Sequence, residues 1–246
     1  MLQGNASAGQ EQGAEPGGGP PPFRPLAAFQ GSLAQRVYAS LKEAILDLSV
    51  APGEILRKGE ICDHLGVSRS PVSEAMARLA AEGLVDVVPQ AGSFVARLSM
   101  PEIREAAFLR EALELAAVEE VALSVTEEQL VLLRRNLRLQ EAHVADGDAA
   151  GFYAADAEMH ELILSLTGHR RLPGFAETAW VQVNRARRLV LPHPGRIAQT
   201  LDEHRAILAA LERHDPAAAR AATRHHLRQL LTFIEPLAET RPDLFS

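Results

Sequence analysis

One cysteine among 246 residues, Cys62, rules out an intrachain disulfide and cannot by itself build a cysteine-type zinc site. A reducing compartment, the cytoplasm, is the expected setting. No window approaches the roughly 20 apolar residues that a membrane helix needs. The N-terminus also has no basic start followed by an apolar run, so neither secretion nor membrane insertion is expected. Aromatics are scarce at 4%, although hydrophobic residues reach 47%. Ala, Leu and Val therefore dominate the apolar set, which suits helices better than sheets. Positive charge is short as well: 25 Lys and Arg face 32 Asp and Glu, a net of −7. Taken alone, that gives no reason to expect a polyanionic partner.

The chain is long enough for one large domain or two ordinary ones. Its first residues, GNASAGQEQGAEPGGGPPPFRP, have little to bury, and 1–28 reads as a flexible tail. From Ser32 the pattern changes to an apolar stripe at helical spacing: Leu33, Val37, Leu41, Ala44, Ile45 and Leu48, stopping before Pro52-Gly53. A short amphipathic helix over 60–65 ends at Gly66. Ser68 then stands as N-cap of a helix reaching Ala81, with Pro71 tolerated in its first turn. Residues 84–88 and 93–96 read as strands joined by the turn Pro89-Gln90-Ala91-Gly92. Helix, helix–turn–helix and β-hairpin, over 31–97, is the order of a winged helix. Everything beyond Arg97 reads as helical. Six segments (101–124, 126–145, 148–167, 171–191, 194–213 and 216–238) predict an all-α antiparallel bundle.

In a helix–turn–helix the N-terminal side chains of the second helix reach base edges and phosphates. Here they are Ser68, Arg69, Ser70 and Ser73, of which Arg69 can fork onto guanine O6 and N7. The same spacing also suits an ordinary surface turn in an α/β region. The run 65–85, LGVSRSPVSEAMARLAAEGLV, followed by Pro89, Gly92, Ser93, Phe94 and Val95, resembles the winged-helix signature of GntR-family transcription regulators. That resemblance implies a dimeric regulator binding a double-stranded DNA operator. It also places Gln90 and Gly92 at a wing tip beside the minor groove. Two departures stand out. The family usually has arginine where Ser73 stands, and an acid, often followed by arginine, at Lys58 and Gly59. An operator unlike the common family sequence is therefore expected, with Arg57 and Lys58 contributing phosphate contacts. Glu74 and Arg78, four apart, can pair on the helix surface.

Most of the nine histidines need no explanation, but three share an unusual placement with one aspartate. Asp156 and His160 lie four apart on the face of Phe152 and Ile163. His204 sits among Leu201, Leu208 and Leu211, and His226 among Ala222, Leu230 and Phe233. Polar groups inside apolar stripes need partners, and a divalent metal held by three imidazoles and a carboxylate supplies one. Separately hydrogen-bonded core histidines are the alternative. His225 has polar neighbours and reads as exposed.

The pattern Asp156-x-x-x-His160, Glu203-His204 and His226-Leu227 over 101–238 resembles the FCD-type effector and dimerisation domain of the FadR branch. The resemblance implies that Asp156, His160, His204 and His226 ligate zinc, nickel or manganese, with a small carboxylate effector at or near the ion. Arg110 and Arg187 are candidate carboxylate clamps, because guanidinium matches that geometry; either also suits a surface ion pair. The leading expectation is a homodimeric repressor relieved by a small organic acid. A metal-dependent hydrolase using the same Asp/His set is the rival. The charge divides unevenly, −1 over 31–97 and −5 over 98–246, so the DNA-reading part is near neutral.

Overall fold

The computed structural model describes residues 22–246. Of the stretch read as a flexible tail, residues 1–21 lie outside the described residues, and the remainder is not free. Phe23 is buried in the N-terminal core, its ring edge-on to His64 at 5.6 Å. The Ser40 hydroxyl donates to the Arg24 carbonyl at 2.8 Å, and Leu26–Ala28 form a 3-10 turn. Burial of Phe23, the partly buried Leu26 and the bond from Ser40 together offset the entropy of ordering this segment.

Helix α1, Leu33–Leu46, begins at a capping box in which Ser32 and Gln35 satisfy each other's backbone N–H groups. Its stripe of Val37, Leu41, Ala44 and Ile45 is buried, while Leu48 falls past the helix at a φ of 63°. Helix α2, Lys58–Leu65, closes on Gly66 in the left-handed conformation that favours glycine. Helix α3, Arg69–Ala81, starts after Ser68, whose hydroxyl makes no capping bond. Val72, Ala75, Met76 and Leu79 bury the opposite face. Strands β1, Val85–Val88, and β2, Gly92–Val95, pair antiparallel, Val85 opposite Val95 and Val88 opposite Gly92. Backbone bonds from Gly53 and Leu56 to the other edge of β2 tie the hairpin to the chain entering α2.

The second domain contains α4 (Met100–Ser124), α5 (Glu127–Asp146), α6 (Ala149–Leu166), α7 (Leu172–Ala179), α8 (Val181–Val190), α9 (Arg196–Glu212) and α10 (Pro216–Thr240). The segment expected as one helix over 171–191 is thus two, and seven helices follow the hairpin instead of six. The break is at Trp180, whose φ and ψ of −99° and 10° leave helical geometry while its ring is buried. Its carbonyl accepts from Asn184 N at 2.8 Å and starts α8 afresh. The break coincides with a buried indole, and no local propensity signals it. Helix α10 lies along α4 and α9, and α5 lies against α6 and α9. Their apolar faces form a core around Val118, Leu133, Phe152, Met159 and Leu211, and a second cluster around Ile103, Leu164, Val183 and Ile234 reaches toward the first domain.

Candidate nucleic-acid interface and metal centre

In the first domain, Arg57, Lys58, Ser68, Arg69 and Ser70 are exposed and Ser73 is half-buried. They sit at the N-terminal ends of α2 and α3, where free backbone N–H groups favour anions. Arg57 makes one long contact, 3.5 Å, to Glu60. At the hairpin tip Gln90 and Gly92 are exposed, with φ of 62° and 128°. Arg78 pairs with Glu82 at 3.2 Å, not with Glu74, and its guanidinium stacks on Tyr38 at 3.7 Å. It serves the structure of the domain, as does the bond from the Tyr38 hydroxyl to Glu82 at 2.7 Å.

In the bundle, α6 presents Asp156 and His160, α9 presents His204 and α10 presents His226, all buried. One ligand atom from each lies within 4.8 Å of all the others. His226 Nε2 is 3.1 Å from His160 Nε2 and 3.4 Å from His204 Nε2, and His204 Nε2 is 3.3 Å from Asp156 Oδ1. Each ring is oriented from behind. His160 Nδ1 donates to Glu114 Oε2, His204 Nδ1 to Gln140 Oε1 and His226 Nδ1 to Glu203 Oε2, each at 2.7 Å. Gln140 is fixed in turn, donating its amide to Asn136 Oδ1 at 2.7 Å. With every Nδ1 proton committed, the three Nε2 atoms face one another as lone pairs.

A proton shared between two rings would relieve that repulsion only by making an imidazolium. Burial, followed by the neighbouring imidazoles, holds His204 well below the ordinary imidazole range, and His226 is lowered likewise. For His160, burial outweighs the carboxylate of Glu114. Glu114 itself is pushed up by burial, but Arg110 and His160 overcome this and keep it ionised. The residues therefore fit a divalent cation: three nitrogen lone pairs and a carboxylate oxygen converge with no donor among them.

Beside the four ligands is a cavity of about 30 Å³ lined by Arg110, Arg187, Arg196 and Thr200 with Asp156 and His226; Val190, Leu191, Leu227 and Leu230 form its apolar part. Both expected clamps are therefore there. Arg110 donates from Nε to Glu114 at 2.6 Å, while its buried Nη2 has no partner. Arg187 meets Asp156 Oδ2, and burial lowers its pKa to about 10. Arg196 is committed to Glu203 through both arms, at 2.6 and 2.8 Å. Sequence reasoning missed Gln140, Arg196 and Thr200. Gln140 carried the same signal as the histidines, a polar residue in the stripe of Leu130, Leu133 and Leu137. Arg196 and Thr200, at the start of α9, lacked any such pattern.

Residues 33–95 match the family described as bacterial regulatory proteins, gntR family, and 105–229 match the FCD domain, which is half the chain by itself. The chain belongs to the GntR family. This GntR protein is 36% identical over 222 residues to an HTH-type transcriptional regulator in an unstable DNA locus of Streptomyces ambofaciens, covering 90% of this chain and 93% of that one. It is 30% identical over 212 residues to the transcriptional repressor RspR of Escherichia coli K12, covering 86% and 93%. Its fold resembles that of E. coli McbR/YncC, with a TM-score of 0.72 at 22% identity over 85% of this chain and 99% of the other. The GntR family and these relatives are DNA-binding transcriptional regulators, not enzymes, and the hydrolase reading falls with that. Among the described residues no helix is long and apolar enough to cross a membrane.

Proposed function

We propose that this GntR regulator is a homodimeric repressor whose hold on a palindromic operator is released by a small carboxylate bound beside a divalent metal. Arg57, Lys58, Ser68, Arg69, Ser70 and Ser73 with the wing residues Gln90 and Gly92 contact the DNA. Asp156, His160, His204 and His226 hold the ion, which is zinc, nickel or manganese; Arg110 and Arg187 receive the effector. The observation that carries the reading is the meeting of three lone-pair-bearing imidazoles with a cavity whose Arg110 has a buried, unpartnered Nη2. The name of RspR supports the sign, repression.

When bound, the ion supplies a positive charge with positions left for an effector carboxylate or water. The protein's own groups do the rest. Glu114, Gln140 and Glu203 fix the three rings, Arg110 offers its free Nη2, and Arg187 gains an anion as partner once Asp156 is committed to a cation. The cavity is about the size of one water, so an effector enters only if these arginines yield. DNA affinity then changes by the difference in effector affinity between the two arrangements. The test is a thermal-shift series on the full chain. Chelation is expected to lower the melting temperature, and small di- and tricarboxylates to raise it only in metal-loaded protein. Indifference to both treatments would overturn the reading.

A further inference from the structure

The stretch that joins the two domains, residues 96–99, is held from two sides. From α8, Arg185 is completely buried and donates from Nη2 to the Ala96 carbonyl at 2.5 Å. Its Nη1 lies 3.5 Å from Gln182 Oε1, and its Nε has no partner. From the other side comes the segment after α10. Leu98 N donates to the Leu244 carbonyl at 3.0 Å, Ser246 N to the Leu98 carbonyl at 2.9 Å, and Arg97 Nε to the Asp243 carbonyl at 3.0 Å. Ala96 is also the foot of the wing. Its N–H donates to the Leu84 carbonyl just before β1, and Val95 exchanges bonds with Gly53 and Glu54 on the segment leading to Arg57.

Both supports are continuous with helices that line the effector cavity. Helix α8 gives it Arg187 and Val190, and α10 gives it His226, Leu227 and Leu230. Arg185 and Arg187 are two residues apart, roughly 200° around the helix, so one reaches the wing while the other faces the cavity. A completely buried guanidinium with an orphan N–H is a poor stabilising device, since an apolar side chain of similar volume is often as good or better. Burial lowers its pKa to about 10, against the pull of Asp86 and Glu102.

We propose that Arg185 is the positioning residue that ties the wing to the effector cavity, with α8 as the rigid bar between them. The inference rests on the metal and effector reading of the bundle. Its test is amide hydrogen exchange on the full chain, stripped with chelator and then loaded with zinc ion alone. In the wild type, zinc is expected to slow exchange in peptides of α6, α9 and α10, and to change exchange at 84–97 roughly tenfold, within the usual range of coupling between sites. Arg185→Met is expected to keep zinc stoichiometry and the bundle response while losing the response at 84–97. Arg185→Lys, which keeps a donor for Ala96, is expected to restore part of it, and this variant carries the test if the methionine protein does not fold. A wild-type bundle that responds with an unmoved wing would overturn the coupling alone, as would an unchanged wing response in Arg185→Met or Arg185→Lys. Absence of zinc binding in the wild type would overturn the metal reading and the coupling with it.

Discussion

The three imidazoles of the bundle owe their usefulness to atoms behind them. Glu114 holds the Nδ1 proton of His160 and is itself held by Arg110, so the tautomer that exposes Nε2 is fixed before any cation arrives. Glu114→Gln is expected to weaken metal affinity about 10–100-fold, as loss of such a supporting carboxylate does elsewhere. Competition with a chromophoric chelator measures this, and an unchanged affinity would remove Glu114 from the centre. Acid should also act on the metal-stripped protein. His204 and His226 are held well below their ordinary value of 6.5 in the fold, mainly by burial and by each other's neighbours. Between the folded and unfolded values the unfolded chain binds more protons, so stability increases with pH there and is lost on acidification. The melting temperature in chelator is therefore expected to fall from pH 7 to pH 5; a flat profile would contradict it. The four candidate ligands were legible in the sequence because each interrupts an apolar stripe, whereas Arg196 and Thr200 join the cavity only through the way α9 packs against α10.

Single elements show where reading the sequence succeeds and where packing decides. Helix α1 follows from its capping box, α2 from its Gly66 stop, α3 from its apolar stripe and the hairpin from the Pro89–Gly92 turn, all local signals. The division of 171–191 falls at Trp180, a buried indole with the Arg110 guanidinium 5.2 Å from its ring, and no residue near 180 announces it. Residues 22–28 teach the converse, because a composition poor in apolar residues hides one anchor. Phe23 is buried in the core of the first domain against His64, so Phe23→Ala is expected to destabilise the winged helix by about 3 kcal/mol. Thermal unfolding checks this, and a change below about 1 kcal/mol would return the segment to the tail.

For the whole molecule, charge is a matter of placement. The net −7 belongs mostly to the bundle, and the near-neutral first domain gathers Arg57, Lys58 and Arg69 at the ends of two helices. A single head is expected to bind DNA modestly and with strong dependence on salt, and the proposed dimer would add the affinity of a second head. Arg69→Ala is expected to cost about 1–3 kcal/mol per head and to leave metal content unchanged. Fluorescence anisotropy on a selected operator, beside elemental analysis, reads both quantities, and undiminished binding would count against α3 as the reading helix.

The backbone pairing of Leu98 with 244–246 also imposes an order in time. Most of the winged-helix core lies within 22–97, with Val181 of α8 packed against it, but the attitude of that domain toward the bundle waits for a segment made roughly 150 residues later. At about 5–20 residues per second, that is a delay of roughly 7–30 s. Until α8 has been made, neither Arg185 nor 242–246 holds residues 96–99; from then until the chain reaches 242–246 only Arg185 does, so the tie between head and bundle is completed in two steps.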